Sequence, residues 1–398
     1  MDLIVKKLDE ECKKDEIFKL LINNNLTSSK YAINNDIWNF QYNLNPLKKS
    51  WNSILVNKND NTIFGHIGLI PQTLRAFSSD WPSASISNGV IDSKVRNKLL
   101  PFKKSKTFAI IPLIDSCTED AFKDKVDVSF VYSTIHPLIW RTLKFNEINV
   151  VRKTTIHSSI SYLYDKYYSY FIDKYSSSFI QYFAKLYSFV LVSLNVIEQN
   201  FRAISSISSI IKRKKISFNK INKFDSEFNI FMDNFYKINS DIITCKRNKG
   251  FLNWRFSSNN FLKYIFRINN RIIGYVILEK NDENKLLKNY KVVDCVVENQ
   301  YLIYLSSIFK SLVKNENLAI TYVHYISCKY SHKLLKESSK QGYFFNINPF
   351  KFTDKKKVTP SNMYYKLNTN SMNEKNIALF DSSNWFITPI SFNPSYNI

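Results

Sequence analysis

The sequence predicts an α/β (α+β) chain built as two mixed-sheet units joined by a helical connector. Three observations carry that expectation. Short strand-like runs alternate with amphipathic helical stretches through both halves, the pattern of sheets with helices on their faces. The element order recurs, with Trp254 lying 216 residues beyond Trp38 and Gly274 lying 209 beyond Gly65, a near-constant offset that points to an internal repeat. The chain has 398 residues, 44% hydrophobic and 15% aromatic, so it can fill more than one core, and with only six Gly and ten Pro it is neither collagen-like nor low-complexity. The units are placed at residues 1–156 and 216–398, with the connector at 157–215.

In chain order, Leu3–Leu8 is a short apolar run and Glu16–Leu26 has helical spacing through Ile17, Leu20 and Leu21. Ile37–Phe40 leads to Asn45-Pro46, which ends that helical stretch. Trp51–Val56 and Thr62–Pro71 read as a hairpin around the turn residues Lys58–Asn61. Ala84–Asp92 is a strand, Ser93–Leu100 a basic loop, and Phe102–Asp115 a helix that Pro112 must kink or end. Val126–Tyr132 is a strand, Pro137–Phe145 a short helix, and Ile148–Ile156 the strand that closes the first unit. The connector lacks Gly and Pro and reads as one or two long helices. The second unit repeats the theme: helix Phe228–Ile238, the Phe251–Phe256 segment, a hairpin of Leu262–Ile268 and Arg271–Lys280 turning at Asn269-Asn270, and strand Lys291–Val297. Helix Tyr301–Lys314, strand Leu318–Ser327, helix Tyr330–Gln341 and strands Tyr343–Phe352 and Asn362–Leu367 complete it.

The formal charge is +23. Lys, Asn and Ile are over-used on every kind of segment, a pattern of an AT-rich genome, so the charge is not by itself a nucleic-acid signal. It does draw in an anionic partner. Cys12, Cys117, Cys245, Cys295 and Cys328 form no CxxC pair, which excludes zinc-ribbon and thioredoxin signatures, and scattered thiols suit a reducing cytoplasm. The start of the chain shows no secretory leader pattern. Phe179–Ile197 is mostly apolar but holds Gln181, Lys185 and Asn195, and it reads as a buried helix between the units. The basic run Lys212–Lys215 keeps an interfacial anchor as the alternative, and with it a peripheral membrane contact.

The fragments Ile63-Phe64-Gly65-His66-Ile67-Gly68-Leu69-Ile70-Pro71 and Arg271-Ile272-Ile273-Gly274-Tyr275-Val276-Ile277-Leu278 each resemble the third strand of the GNAT superfamily of N-acetyltransferases. Leu252–Phe256 and Asn384–Thr388 resemble a tandem version, and the overall pattern resembles bacterial acyltransferases that act on nucleotide-linked amino sugars. The resemblance implies two GNAT-like domains, acyl coenzyme A as donor, and the amine of a nucleotide-linked (dTDP) amino-deoxy sugar as acceptor, for surface polysaccharide synthesis in the cytoplasm. It implies a pyrophosphate loop after the fourth strand, where this chain has Arg96-Asn97-Lys98-Leu99-Leu100-Pro101 without the family's glycines. Arg96 and Lys98 supply cations there, and Pro101 is expected to open the next helix. Glu298–Leu302, the second unit's counterpart, has neither glycine nor a basic residue, so the first unit is the expected donor site and the second is expected to build the acceptor site.

An amine attacking a thioester needs an oxyanion donor, which the resemblance places at a backbone N–H near Val90 and Ile91. Among five histidines, His66 is the leading side-chain base and Asp92 the second, with transfer of the proton to the departing thiolate as the alternative to both. His136 is expected beside the end of the acyl chain. Trp254, Arg255, Tyr325 and Trp385 are candidates to stack on and neutralise the nucleotide, although apolar neighbours make Trp254 a candidate core residue as well. No Cys/His cluster suggests a metal. The two internal halves suit a monomer, and no nucleic-acid partner is expected. Two rival functions stay open: an aminoacyl-tRNA-dependent peptidoglycan-bridge transferase, and a non-catalytic basic binder of nucleic acid or membrane through residues 202–215.

Overall fold

The computed structural model describes residues 1–8, 14–24, 42–103, 105–133, 137–148, 150–174, 178–204, 216–281, 288–344, 362–372, 376–377 and 380–388. Two large mixed sheets carry it. The first contains β1 (Leu3–Lys7), β2 (Trp51–Asn57), β3 (Ile63–Ala76), β4 (Ser79–Ile91), β7 (Val128–Ser133) and β8 (Asn146–Ile148). A separate hairpin, β5 (Leu99–Phe102) and β6 (Ser105–Phe108), follows β4. The second sheet contains β10 (Ser217–Ile221), β12 (Phe261–Ile268), β13 (Arg271–Asn281), β14 (Lys288–Val297), β15 (Leu318–Ile326) and β16 (Tyr343–Phe344).

Each sheet borrows one strand from the other half of the chain. Strand β9 (Val151–His157), expected to close the first unit, lies in the second sheet, antiparallel to β15 over seven residue pairs from Ile320–His157 to Ile326–Val151. Strand β17 (Asn362–Leu367), expected to finish the second unit, sits in the first sheet between β7 and β8. The orders are therefore β1-β2-β3-β4-β7-β17-β8 and β10-β12-β13-β14-β15-β9-β16. A short strand, β11 (Thr244–Cys245), adds to the distal part of β3. The pairing of β9 and β17 could not be read locally, because an alternating apolar strand fits either sheet edge.

Helices cover the faces. Helix α1 (Lys14–Asn23) buries Ile17, Phe18, Leu20 and Leu21 on one side of the first sheet, with Asp15 and Glu16 in the first turn, where the helix dipole favours acids. Helix α2 (Ile110–Lys123) and helix α3 (Pro137–Thr142) cover the other side. The expected helix at Phe102–Asp115 is corrected here. Leu99–Phe102 and Ser105–Phe108 pair as β5 and β6, and Pro112 falls in the first turn of α2, where its missing N–H costs nothing. Consequently Pro101 is a strand residue and not a helix start. The connector forms helix α4 (Ile160–Lys174) and helix α5 (Ser178–Ile204), which pack as a pair on the β9–β16 edge of the second sheet through Tyr162, Leu163, Tyr167, Leu191 and Val192.

In the second unit, α6 (Ser226–Ile238) is capped by Asp225 accepting from the Phe228 N–H, and α7 (Lys249–Arg255) by Asn248 accepting from the Phe251 N–H. Helix α8 (Leu305–Glu316) ends on Asn317 in the left-handed region, and α9 (Lys329–Ser338) follows β15. Two-residue turns close two hairpins with both residues at positive φ: Asn269-Asn270, as the sequence predicts, and Phe77-Ser78. The four described cysteines are buried free thiols.

Candidate active site

The geometry centres on two equivalent clefts. In the first sheet, β4 and β7 run parallel but pair only at Ser83–Ser85 against Val128–Phe130. Beyond this point β4 follows β3 and β7 follows β17. Along β3–β4, Gly68 faces Ser87 while His66 faces Val90. The fourth strand thus holds one extra residue, a bulge at Asn88-Gly89 beside the point where the two strands stop pairing. A bulge turns backbone groups away from the ladder. The second sheet repeats the device. β14 and β15 pair only at Lys288–Lys291 against Leu318–Thr321, and a bulge at Val293 separates Ile277–Asp294 from Leu278–Val292.

The second cleft is filled by the chain itself. Residues Phe386, Ile387 and Thr388 enter it, leaving a cavity of about 10 Å³ lined by residues including Val293, Asp294, Tyr322, His324 and Thr388, room for a single water. The segment is stitched to both sheets. Ile243 N–H donates to Asn384 O and Phe386 N–H to Ile243 O, each at 2.8 Å, and Thr244 Oγ1 donates to Phe386 O at 2.9 Å. Ser327 Oγ donates to Trp385 O.

At its heart lies a buried ion pair. Arg247 Nε is 3.0 Å from Asp294 Oδ2, and Arg247 Nη2 donates to Asp294 Oδ1 at 3.2 Å. The remaining guanidinium donors reach Thr244 Oγ1 at 2.6 Å, Cys245 O at 2.9 Å and Thr388 Oγ1 at 3.0 Å. Thr388 Oγ1 in turn donates to Asp294 Oδ1 at 2.9 Å, and the Tyr275 hydroxyl donates to Asp294 Oδ2. Burial alone would lower the guanidinium, but Asp294 outweighs it and holds Arg247 well above its ordinary value. Burial, reinforced by Asp294, raises the Tyr275 phenol. Sequence reading missed this cluster. Its signal was an aspartate inside the apolar run Val292-Val293-Asp294-Cys295-Val296, since a charge in a buried strand demands a partner.

The residues singled out from sequence fall in several places. His66 is fully buried, its Nε2 3.2 Å from Asn52 Oδ1 and its ring edge-on to Tyr42 at 6.3 Å between centroids. The Asn52 amide nitrogen donates to Ser50 Oγ at 3.3 Å, so its oxygen faces the imidazole. A Cβ at Gly68 would meet Tyr42 Oη at 2.6 Å and Asn52 Oδ1 at 2.7 Å, so glycine is what lets this polar group close over β3. Val90 packs in the core beneath α1, and Ile91 in the core beneath α2. Asp92 Oδ1 accepts the Lys94 N–H at 2.8 Å, an Asx turn that opens the basic loop. Arg96, Asn97, Lys98 and Leu99 are exposed, and Arg96 donates to Asn24 Oδ1 at 3.3 Å, tying the loop to the end of α1. His136 lies outside the described residues.

The four acceptor candidates do not converge. Trp254 touches the α1-side core of the first sheet and the core of the second. Arg255 is buried on α7, where burial lowers its guanidinium to about 10. Tyr325 packs from β15 against the seam between the sheets. Trp385 is 1% exposed in that seam, with centroids 5.2 Å from Tyr365, 6.3 Å from Phe380 and 6.4 Å from Phe130. Its ring faces are taken by core aromatics.

No protein-family model matches the chain, and no curated protein matches it. Solved structures do. The chain is similar to a GCN5-related N-acetyltransferase from Anabaena variabilis, with a TM-score of 0.55 at 10% identity over 92% of this chain and 73% of that one. It is similar to an Enterococcus faecalis protein described as a probable N-acyltransferase, with a TM-score of 0.52 at 11% identity over the same shares. It is also similar to Saccharomyces cerevisiae N-myristoyltransferase, solved with bound myristoyl-CoA, with a TM-score of 0.51 at 13% identity over 92% and 83%. At these identities the shared property is the fold. The mixed sheets with a bulged fourth strand and a short parallel ladder are thus the GNAT-type fold.

Proposed function

We propose that this chain is an acyl-CoA-dependent N-acyltransferase whose donor cleft lies in the first unit, between β4 and β7. The observation that carries the reading is the asymmetry of two like clefts: the second is filled by Phe386–Thr388 over the Arg247–Asp294 pair, while the first carries the cations Arg96 and Lys98 on the loop that leaves β4. In this reading a single ancestral unit was duplicated, and the second copy became a support. The β5–β6 hairpin separates the loop from the start of α2, so the pyrophosphate is met by side-chain cations more than by helix N–H groups.

The chemistry follows from that placement. The neutral amine forms a bond to the thioester carbonyl carbon, and a backbone N–H near Val90 and Ile91 stabilises the developing oxyanion. The C–S bond then breaks, and coenzyme A leaves as a thiolate that ends with the proton the amine gives up. His66, on the strand beside Val90, is the base through which that proton passes. For the acceptor we propose the amine of a nucleotide-linked amino sugar in the cytoplasm. The net charge of +23 supports it by drawing in an anionic substrate, and so does the resemblance noted above. The tRNA-dependent alternative gains nothing from the connector, since α4 and α5 pack on the second sheet through Tyr162, Leu163, Tyr167, Leu191 and Val192.

Acetyl-CoA at a hundredfold excess over its dissociation constant adds about 2.7 kcal/mol of stability by linkage, which thermal unfolding reads directly. The Arg96→Ala/Lys98→Ala double variant is expected to lose affinity at least about tenfold, and His66→Ala to lose about 100-fold or more in kcat while keeping coenzyme A binding. No thermal shift with acetyl-CoA, or an unchanged affinity in the double variant, would remove the donor cleft from the first unit.

A further inference from the structure

Helix α5 carries large apolar side chains on two sides, and among the described residues one of the two is covered. Ala184, Ser188, Leu191, Val192 and Asn195 are buried toward the second sheet and α4. The outward side presents Leu186, Phe189, Leu194 and Ile197, with Leu186 55% and Phe189 63% exposed. These positions fall on one stripe at 3.6 residues per turn, interrupted only by the small polar Ser193. The stripe runs into a groove between α4 and α5 of about 450 Å³, lined in part by Ile160, Tyr164, Phe189, Val196 and Ile197. A globular helix with large side chains on both faces normally has two partners. No helix among the described residues is long and apolar enough to cross a membrane, so the stripe is suited to lying in an interface.

We propose that the outward face of α5, with the adjoining α4 groove, docks this protein on an anionic membrane surface. Charge selects this occupant over a second copy of the chain. Two chains of +23 repel, whereas a bilayer carrying anionic lipid attracts, at about 1 kcal/mol per cation near its surface. Asp165, Lys185 and Glu198 are exposed on the two helices, and over residues 157–215 the sequence holds eight Lys and Arg against three Asp and Glu. The large side chains supply the apolar term and the cationic chain supplies the electrostatic one, the two signals that stable peripheral binding needs.

Sedimentation with vesicles tests this, using phosphatidylcholine alone or phosphatidylcholine with about one third phosphatidylglycerol. The intact chain is expected to pellet with the anionic vesicles and to be partly retained at high salt. The Leu186→Glu/Phe189→Glu variant, changed only at exposed positions, is expected to bind at least about tenfold more weakly with an unchanged circular dichroism spectrum and melting temperature. Absence of vesicle binding overturns the proposal, as does equal binding by the variant. Complete release of the intact chain by salt overturns it too, because the apolar face would then be idle. So does a dimer in sedimentation equilibrium that the variant abolishes, which would assign the face to a second copy.

Discussion

Arg247 and Asp294 pair with both side chains fully buried, and that makes each intolerant of losing the other. Coulombic attraction in a dry interior offsets desolvation only when every donor and lone pair is used, and here Thr244, Cys245, Thr388 and Tyr275 complete the set. Asp294→Asn keeps the shape but strands the guanidinium. Chemical denaturation is expected to show a loss of about 3–5 kcal/mol, and a loss below 1 kcal/mol would mean that water enters the seam. His324 makes a second residue-scale prediction. Its Nε2 lies 3.0 Å from Thr155 Oγ1, and burial, with His157 nearby, lowers its pKa to about 3 from an ordinary 6.5. Between those values the unfolded chain takes up a proton that the folded chain refuses. The stabilisation is therefore whole above about pH 6.5 and fades as pH falls toward 3, by up to about 5 kcal/mol. Denaturation midpoints measured from pH 7 to pH 4 should fall steeply, and His324→Gln, which can keep the Thr155 contact, should flatten the slope. At this scale the sequence marks which residues are unusual but not what they do: Trp385 reads equally as a stacking platform and as core, and only the packing of Tyr365, Phe380 and Phe130 around it decides.

Among the elements, turn chemistry explains both what could be read ahead and what could not. Asn269-Asn270 announces a hairpin because asparagine tolerates the left-handed region. Phe77-Ser78 adopts the same geometry, at φ of 50° and 64°, with residues that pay for it in strain. Nothing local signals the turn, so the sequence reading ends one strand at Pro71 and starts the next at Ala84, splitting a continuous hairpin from Ile63 to Ile91. Tertiary packing makes up the difference. The Phe77 ring meets Phe380 edge-on at 6.5 Å, and its N–H donates to Ser240 O at 3.0 Å. The two turn residues should therefore respond in opposite directions. Ser78→Gly relieves strain at an exposed position and is expected to stabilise by about 0.5–1 kcal/mol, whereas Phe77→Gly relieves similar strain but loses the ring and is expected to destabilise by about 1 kcal/mol or more. Thermal midpoints moving the same way for both would show that the ring contributes nothing. The β5–β6 hairpin was hidden for a related reason: Ile110-Ile111 and the residues after them carry helical periodicity, which blurred the boundary back to Phe102, while Pro112 looked like a breaker although it belongs to a first turn.

For the whole molecule, the exchange of β9 and β17 decides how stability is shared. Local pattern was enough to find the long strands, because period-2 alternation depends on neighbours in sequence, but it missed the short β5, β6, β8, β10 and β11. It could not assign the sixth strand of either sheet, because that choice depends on which distant edge offers complementary side chains. The consequence is mechanical as well as topological. Removing β17 takes away six residue pairs with β7 and three with β8, leaving β8 without the strand that joins it to the sheet. Removing β9 exposes one edge of β15 and detaches β16 from the second sheet. The seam adds Trp385 to the core of the first sheet and Phe386 to the core of the second from adjacent positions in the chain. Neither half can complete its core without the other, so the chain should unfold in one transition although its length would allow two. Intrinsic fluorescence and far-ultraviolet circular dichroism are expected to give coincident urea curves, and residues 1–204 or 216–398 produced alone should lack a cooperative transition, with co-expression restoring it. Two resolved transitions in the intact chain, or a cooperatively folded 1–204 fragment, would show that the borrowed strands decorate the sheets without holding them together.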